Sequence, residues 1–353
     1  MEQSNNNNES NQQNEITSEI DLLNDKGQLQ NPGWARKPHF RYNKEKIKAS
    51  WSRLKEWDFY AVVTPKFAFQ VTFADLGFGS FFAACFLDFE SKQVLQEDDL
   101  QFFAHLALPS HPDQETPITV KSSKLTASVE KKGNERLIKV SWPKWKGKGL
   151  EAEITLFQED WDTMVIATPW GKDHPQAFYY NQKVNNLIVS NCLIKIGKDE
   201  HLVKSTTEEP TYAVLDWGRG VWTYQNRWYW ASASGTVEGQ LFGMNLGYGF
   251  GDTSKATENI FFVNGKGHKL KEVTFHISKE GYLSHWRITS NDNRINLNFT
   301  PIVERPTHVN YLILKSEQHQ VFGSFDGTVV LDDGSTLNVK NLLGFAEDCF
   351  QRW

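Results

Sequence analysis

Ile138-Lys139-Val140-Ser141-Trp142 alternates apolar and polar side chains along its whole length. Successive side chains of a strand point to opposite faces, so this period of two buries Ile138, Val140 and Trp142 on one side of a sheet. The same pattern recurs downstream. Ala152, Ile154 and Leu156 alternate with Glu153 and Thr155, and Val273, Phe275 and Ile277 alternate with Thr274, His276 and Ser278. Ile295, Leu297 and Phe299 do so around Asn296 and Asn298. Turn residues lie between strand-like runs at Lys132-Gly133-Asn134, Asn264-Gly265, Asp326-Gly327 and Asp332-Asp333-Gly334, as an antiparallel meander requires. Only Ile47, Trp51 and Leu54, spaced by four and then three, have a helical period, which predicts one short N-terminal helix ending near Trp57. The fold class is therefore all-β, built of antiparallel barrels or sandwiches. A closed barrel of about eight strands removes exposed sheet edges and can hold one small ligand.

A chain of 353 residues exceeds the usual span of one hydrophobic core and predicts two domains. Residues 1–30, rich in Asn, Gln, Glu and Ser, read as a disordered tail. The polar stretch Gly197-Lys198-Asp199-Glu200 interrupts the strand pattern, so the domains are expected at 31–200 and 201–353. A formal net charge of −5 provides no basic field for nucleic acid. Cys85, Cys192 and Cys349 are far apart and form no C-x-x-C pair, as in a reducing compartment. The start of the chain lacks the charge and apolar pattern of a secretory signal. The longest wholly apolar run, Phe81 to Leu87, is too short to span a bilayer, and the expected location is cytoplasmic.

The densest cluster of residues suited to ligand contact is Asp216-Trp217-Gly218-Arg219-Gly220, followed by Trp222, Trp228 and Trp230. An Asp and an Arg can form a bidentate pair that orients a substrate, or one that pins two sheets together. Trp228 and Trp230 share a face if their segment is a strand, giving a stacking platform or a piece of core. Gly243, Gly247, Gly249 and Gly251 surround Asn245, and glycines within strands mark bulges or close approach of a ligand or another backbone. Asp252, Glu258 and Asn259 follow on a polar loop, where carboxylates serve acid–base chemistry, hold a cation, or close turns. Tyr180, Asn181 and Lys183, near the end of the first domain, are placed to face the Asp216–Trp230 segment across an interdomain cleft.

Other chemistries lack their signatures. There is no phosphate loop or dinucleotide fingerprint, no H-E-x-x-H or His–Cys cluster, and no G-x-S-x-G elbow. No metal and no organic cofactor is expected.

Several of these stretches, with Trp228-Tyr229-Trp230, Gly243-Met244-Asn245-Leu246-Gly247, Gly251-Asp252-Thr253 and Thr257-Glu258-Asn259, carry a family resemblance. So do Gly323-Ser324-Phe325-Asp326-Gly327, Gly344-Phe345, the Arg53–Tyr60 segment and Phe178-Tyr179-Tyr180-Asn181-Gln182-Lys183. From about Gly27 to Trp353 the chain resembles domain-of-unknown-function family 2804. More distantly, that family is similar to the two-barrel, lipocalin-like calycin proteins that include hydroxyneurosporene synthase and the AttH-like proteins. The resemblance implies two barrels and a small-molecule ligand rather than a defined reaction, and it assigns no catalytic residue here.

One expectation is a protein that binds a hydrophobic or amphipathic small molecule and isomerises, hydrates or cyclises it. Asp216 would then be the acid, Arg219 would position it, and Trp230 and Asn245 would shape the pocket. A second is a carbohydrate-active protein with Trp platforms and paired carboxylates from Asp216, Asp252 and Glu258. A third is a structural scaffold.

Overall fold

The computed structural model describes residues 13–310 and 315–353. Two curled, antiparallel sheets make up the molecule. In the first, the strands run in the order Val94–Phe102, Gly79–Asp88, Phe67–Asp75, Leu54–Val63, Tyr212–Val221, Phe178–Ile196, Leu150–Phe157, Glu135–Trp142, Thr126–Lys132, Ile118–Lys121. In the second they run Lys266–Lys269, Ile260–Val263, Gln240–Tyr248, Gln225–Val237, Thr336–Arg352, Lys315–Val330, Ile295–Asn310, Trp286–Ser290, Val273–His276. A short parallel pair, Ile20–Asp21 with Phe40–Arg41, stands apart.

Alternation accounts for each sheet's own core. Ile138, Val140 and Trp142 are buried, as are Ala152, Ile154 and Leu156 on the neighbouring strand, and they pack with Phe73 and Phe82 in the core of the first sheet. Val273, Phe275, Ile295, Leu297 and Phe299 do the same in the second. Asn264-Gly265 forms the expected hairpin turn, with both residues at positive φ (49° and 80°).

Three expectations are corrected. No α-helix forms at Ile47–Trp57: Lys44–Lys46 and Trp51–Arg53 are single 3-10 turns, and Leu54 already begins a strand paired on both sides. Three apolar residues cannot offset helix nucleation against two strand ladders, and Trp51 stays exposed. Asp326-Gly327 is a register shift inside the Lys315–Val330 strand rather than a turn between strands. Of the segment read as a tail, residues 1–12 lie outside the described residues, but Leu22 and Leu23 are buried in the first core, which no disordered segment would allow.

The chain passes from one sheet to the other between Val221 and Gln225, while Gly197-Lys198 is a tight hairpin within the first sheet. The sheets meet through their outer faces. Phe59, Ala61, Val214, Trp230, Phe322 and Phe345 form one interdomain cluster, and Met164, Ile166, Tyr179, Trp222, Phe250 and Phe262 belong to another. A bulge in the Phe178–Ile196 strand, with Asn186 at φ 58°, drives two amides into the second sheet. Asn185 Nδ2 donates to Ser232 Oγ and Met244 O at 2.9 Å, and Asn186 Nδ2 donates to Phe242 O at 2.9 Å. Gly243 is required beneath this clamp, because a Cβ there would overlap the Asn186 side chain. Among the described residues no helix is long and apolar enough to cross a membrane.

Candidate functional site

A cavity of about 370 Å³ lies between the two sheets. Its floor is the Leu54–Val63 strand, whose Lys55, Trp57 and Phe59 face it on alternate positions. The register sets these beside Gly220, Gly218 and Asp216 of the Tyr212–Val221 strand. Gly218 leaves room for the Trp57 indole, which a Cβ at that position would overlap. Ala74, Leu76, Phe78, Phe81 and Leu100 continue one wall, and Trp228, Trp230, Gln318, Gln320 and Glu347 of the second sheet close the other.

Charged groups gather at the inner end. Lys183 Nζ lies 2.9 Å from Asp216 Oδ2 and 3.7 Å from the Trp230 ring centroid, an ion pair capped by a ring face. Asn181 Nδ2 donates to the other Asp216 oxygen. Both members of the pair are almost inaccessible, so each compensates the other's lost hydration. Glu258 joins them from the loop after the Gln240–Tyr248 strand. Burial pushes its carboxyl up to about 7, with Lys183 opposing and Asp216 reinforcing the rise. One Glu258 oxygen, Oε2, has no hydrogen-bond partner within the protein. Gly247 is needed opposite, since a Cβ there would overlap the Glu258 carboxyl.

Two further carboxyl and hydroxyl groups complete this end. Glu347 accepts from Trp228 Nε1 at 2.9 Å and from Gln320 Nε2 at 3.0 Å, and burial raises its pKa. Tyr179 packs between Trp57, Trp222 and Phe250, and burial, with Glu258 as the largest charged neighbour, raises its phenol well above the ordinary value.

The expected site residues are thus divided. Lys183, Asp216, Trp222, Trp228, Trp230 and Glu258 line the cavity together. Asn181 and Asn245 stand behind it: Asn245 Oδ1 accepts from Trp230 Nε1 at 2.7 Å while its Nδ2 donates to Glu258 O at 2.8 Å, fixing ring and acid together.

The other expected residues lie elsewhere, and the expected Asp216–Arg219 pair does not form. Residues three apart on a strand point to opposite faces. Arg219 and Trp217 enter the first sheet's core, where the guanidinium stacks on Trp217 with its carbon 4.0 Å from the ring centroid. Arg219 donates to Pro109 O at 2.8 Å and Trp57 O at 2.7 Å, and its Nη2 lies 3.0 Å from Asp58 Oδ1. Tyr180 faces the same core and donates to Phe40 O at 3.1 Å. Asp252 is exposed and closes a turn by accepting from Ser254 N at 3.0 Å; the Ser254 side chain and then this backbone N–H lower its pKa. Asn259 accepts from Gly247 N at 2.7 Å and donates to Lys271 O at 2.9 Å, holding the Glu258 loop.

Lys55, Trp57, Phe59, Tyr179 and Glu347 line the cavity without having been expected. Trp57 and Phe59 carry a signal in a strand apolar on both faces: Trp57, Phe59 and Ala61 alternate with Tyr60 and Val62, so both sides must be covered. Among the described residues no group of three His, Cys, Asp or Glu side chains comes together to hold a metal ion.

Comparison with solved structures finds the same two-sheet arrangement elsewhere. CghA crystallised with Sch210972 is 12% identical, with a TM-score of 0.57 over 94% of this chain and 96% of the other. CghA in a second crystal structure is 11% identical, with a TM-score of 0.57 over 95% and 97%. Kievitone hydratase from Nectria haematococca is 10% identical over 85% of this chain and 88% of its own, with a TM-score of 0.44. For the two CghA structures, at such identities, the likeness is one of fold. No curated protein matches the sequence. The match to the family described as "Domain of unknown function (DUF2804)" extends over residues 13–353, and the chain belongs to that family.

Proposed function

We propose that the interdomain cavity binds an amphipathic, mainly apolar small molecule and rearranges it by proton transfer, with Glu258 as the acid. The observation that carries this reading is a buried carboxyl held near pH 7 with one oxygen unpartnered, facing the Lys183–Asp216 pair in a largely apolar cavity. An acid whose pKa lies near the working pH is matched to its task. Asp216, ion-paired to Lys183, suits the carboxylate role rather than the acid role first expected for it. Trp228 and Trp230 provide ring faces against which a polyene or a developing cation is stabilised.

In this scheme the Glu258 O–H adds its proton to a carbon–carbon double bond. The resulting cation loses a proton from a neighbouring carbon, giving an isomer, or is captured by water or by an internal nucleophile, giving a hydrated or cyclised product. The proton released returns to Glu258, so the enzyme ends as it began. That a structure of the same fold was crystallised with Sch210972 supports a ligand-binding role.

The direct test incubates an organic extract of the source cells with the protein in deuterium oxide and follows products by mass spectrometry. Deuterium-labelled products that appear with the native chain and vanish with Glu258→Gln support the reading. Label independent of Glu258, or none at all, removes Glu258 as the acid. The carbohydrate reading draws on the same Trp residues and on Asp216 and Glu258, but Asp252, one of its expected acids, closes a turn outside the cavity.

A further inference from the structure

The cavity has a second pole. Lys55, only 1% exposed, lies at the end of the Leu54–Val63 strand and lines the cavity beside Leu76, Phe78 and Trp353. Its Nζ donates to Ser52 O at 2.9 Å and Leu76 O at 2.6 Å. It lies 4.7 Å from the Phe78 ring centroid and 5.3 Å from that of Trp353. An ammonium carries three donors, so these two carbonyls leave one over. Lys183, at the inner end, has its carboxylate partner, whereas Lys55 has no ion-pair partner among the described residues. A buried cation without a counter-ion is costly, and burial together with nearby Arg53 pulls the Lys55 amine down to about 7.

Of the charges near Lys55, Arg53 disfavours its ammonium and the buried Asp75 carboxylate favours it. Arg305, Lys315 and Arg352 of the second sheet line the cavity as well, with Arg305 held by Gln96 and Gln320 and Lys315 paired with Glu317. Of the acidic lining groups, Asp216, Glu258 and Glu347 belong to the inner end, and Asp98 lies on the Val94–Phe102 strand near Arg305.

We propose that Lys55 is the counter-ion for the carboxylate of an apolar acid, whose hydrocarbon body runs along the cavity floor toward Glu258. This rests on the ligand-binding reading above and adds the substrate class. Lys55 and Phe59 are four residues apart on one strand, and Phe59 sits opposite Asp216, so the strand backbone between these positions spans about 13 Å. The ligand therefore places its reactive double bond at the opposite end of the floor from its carboxylate, with Trp57, Phe78, Phe81 and Leu100 covering the span between.

A fluorescent polyene carboxylic acid, cis-parinaric acid, and its methyl ester test the assignment by titration. The native chain binds the acid more tightly than the ester by about tenfold, the order expected of a charge-assisted hydrogen bond. Lys55→Met removes that preference while keeping the ester's affinity, which also reports an intact fold; Lys55→Arg retains it. Equal binding of acid and ester by the native chain, or a preference that survives Lys55→Met, overturns the carboxylate assignment and leaves the ligand-binding reading standing. Binding of neither probe contradicts both.

Discussion

Glu258→Gln separates the acid's titration from every other ionisation in the molecule. Burial raises the Glu258 pKa from its ordinary 4.5 to about 7. Between those two values the folded chain keeps a proton that the unfolded chain has lost. Stability therefore falls as pH rises through this window, and above pH 7 the buried carboxylate is a net cost. The separation of about 2.5 pH units, at about 1.36 kcal/mol for each, corresponds to roughly 3 kcal/mol. Glutamine keeps the shape and does not titrate, so groups that do not feel the Glu258 charge cancel in the difference between the two proteins. Urea unfolding of both at intervals from pH 4 to pH 8.5 should show the variant gaining on the native chain as pH rises, by about 3 kcal/mol across the window. A constant difference over the whole range, or a variant that loses ground with rising pH, would refute the placement of Glu258 as a buried acid.

Asp216→Asn leaves Lys183 buried without its carboxylate and should cost about 3 kcal/mol, most of which the double variant with Lys183→Met recovers; a double-variant cycle in urea measures this. Arg219→Lys gives up the fork that bonds Pro109 O and Trp57 O, so unfolding should come earlier by about 2 kcal/mol while titration of a polyene ligand is unchanged. Gly247→Ala forces the Glu258 carboxyl aside, and deuterium incorporation should drop at least tenfold with a stability loss of about 1–3 kcal/mol by urea unfolding.

The sheets were legible because alternation is local: Ile138, Val140 and Trp142 bury one face of a strand whatever the topology. Trp228 and Trp230 were placed on one side for the same reason, and both line the cavity. The supposed Asp216–Arg219 pair fails by the same rule, since an odd separation on a strand puts the two on opposite faces. Glu258 was found by its chemistry, but its burial was not readable, because the loop is held under the sheet by Asn245 and Asn259 through contacts distant in sequence. Lys55 and Glu347 belong to strands far apart in the chain, and only packing of one sheet's outer face on the other brings them to one cavity.

The central claim, that the space between the two sheets holds a small apolar molecule, is tested most directly by native mass spectrometry of protein purified gently from its source. The account predicts a retained apolar acid, absent when Ala74→Trp fills the cavity. A retained glycan, an empty native chain, or a ligand that stays bound in the filled variant would contradict it.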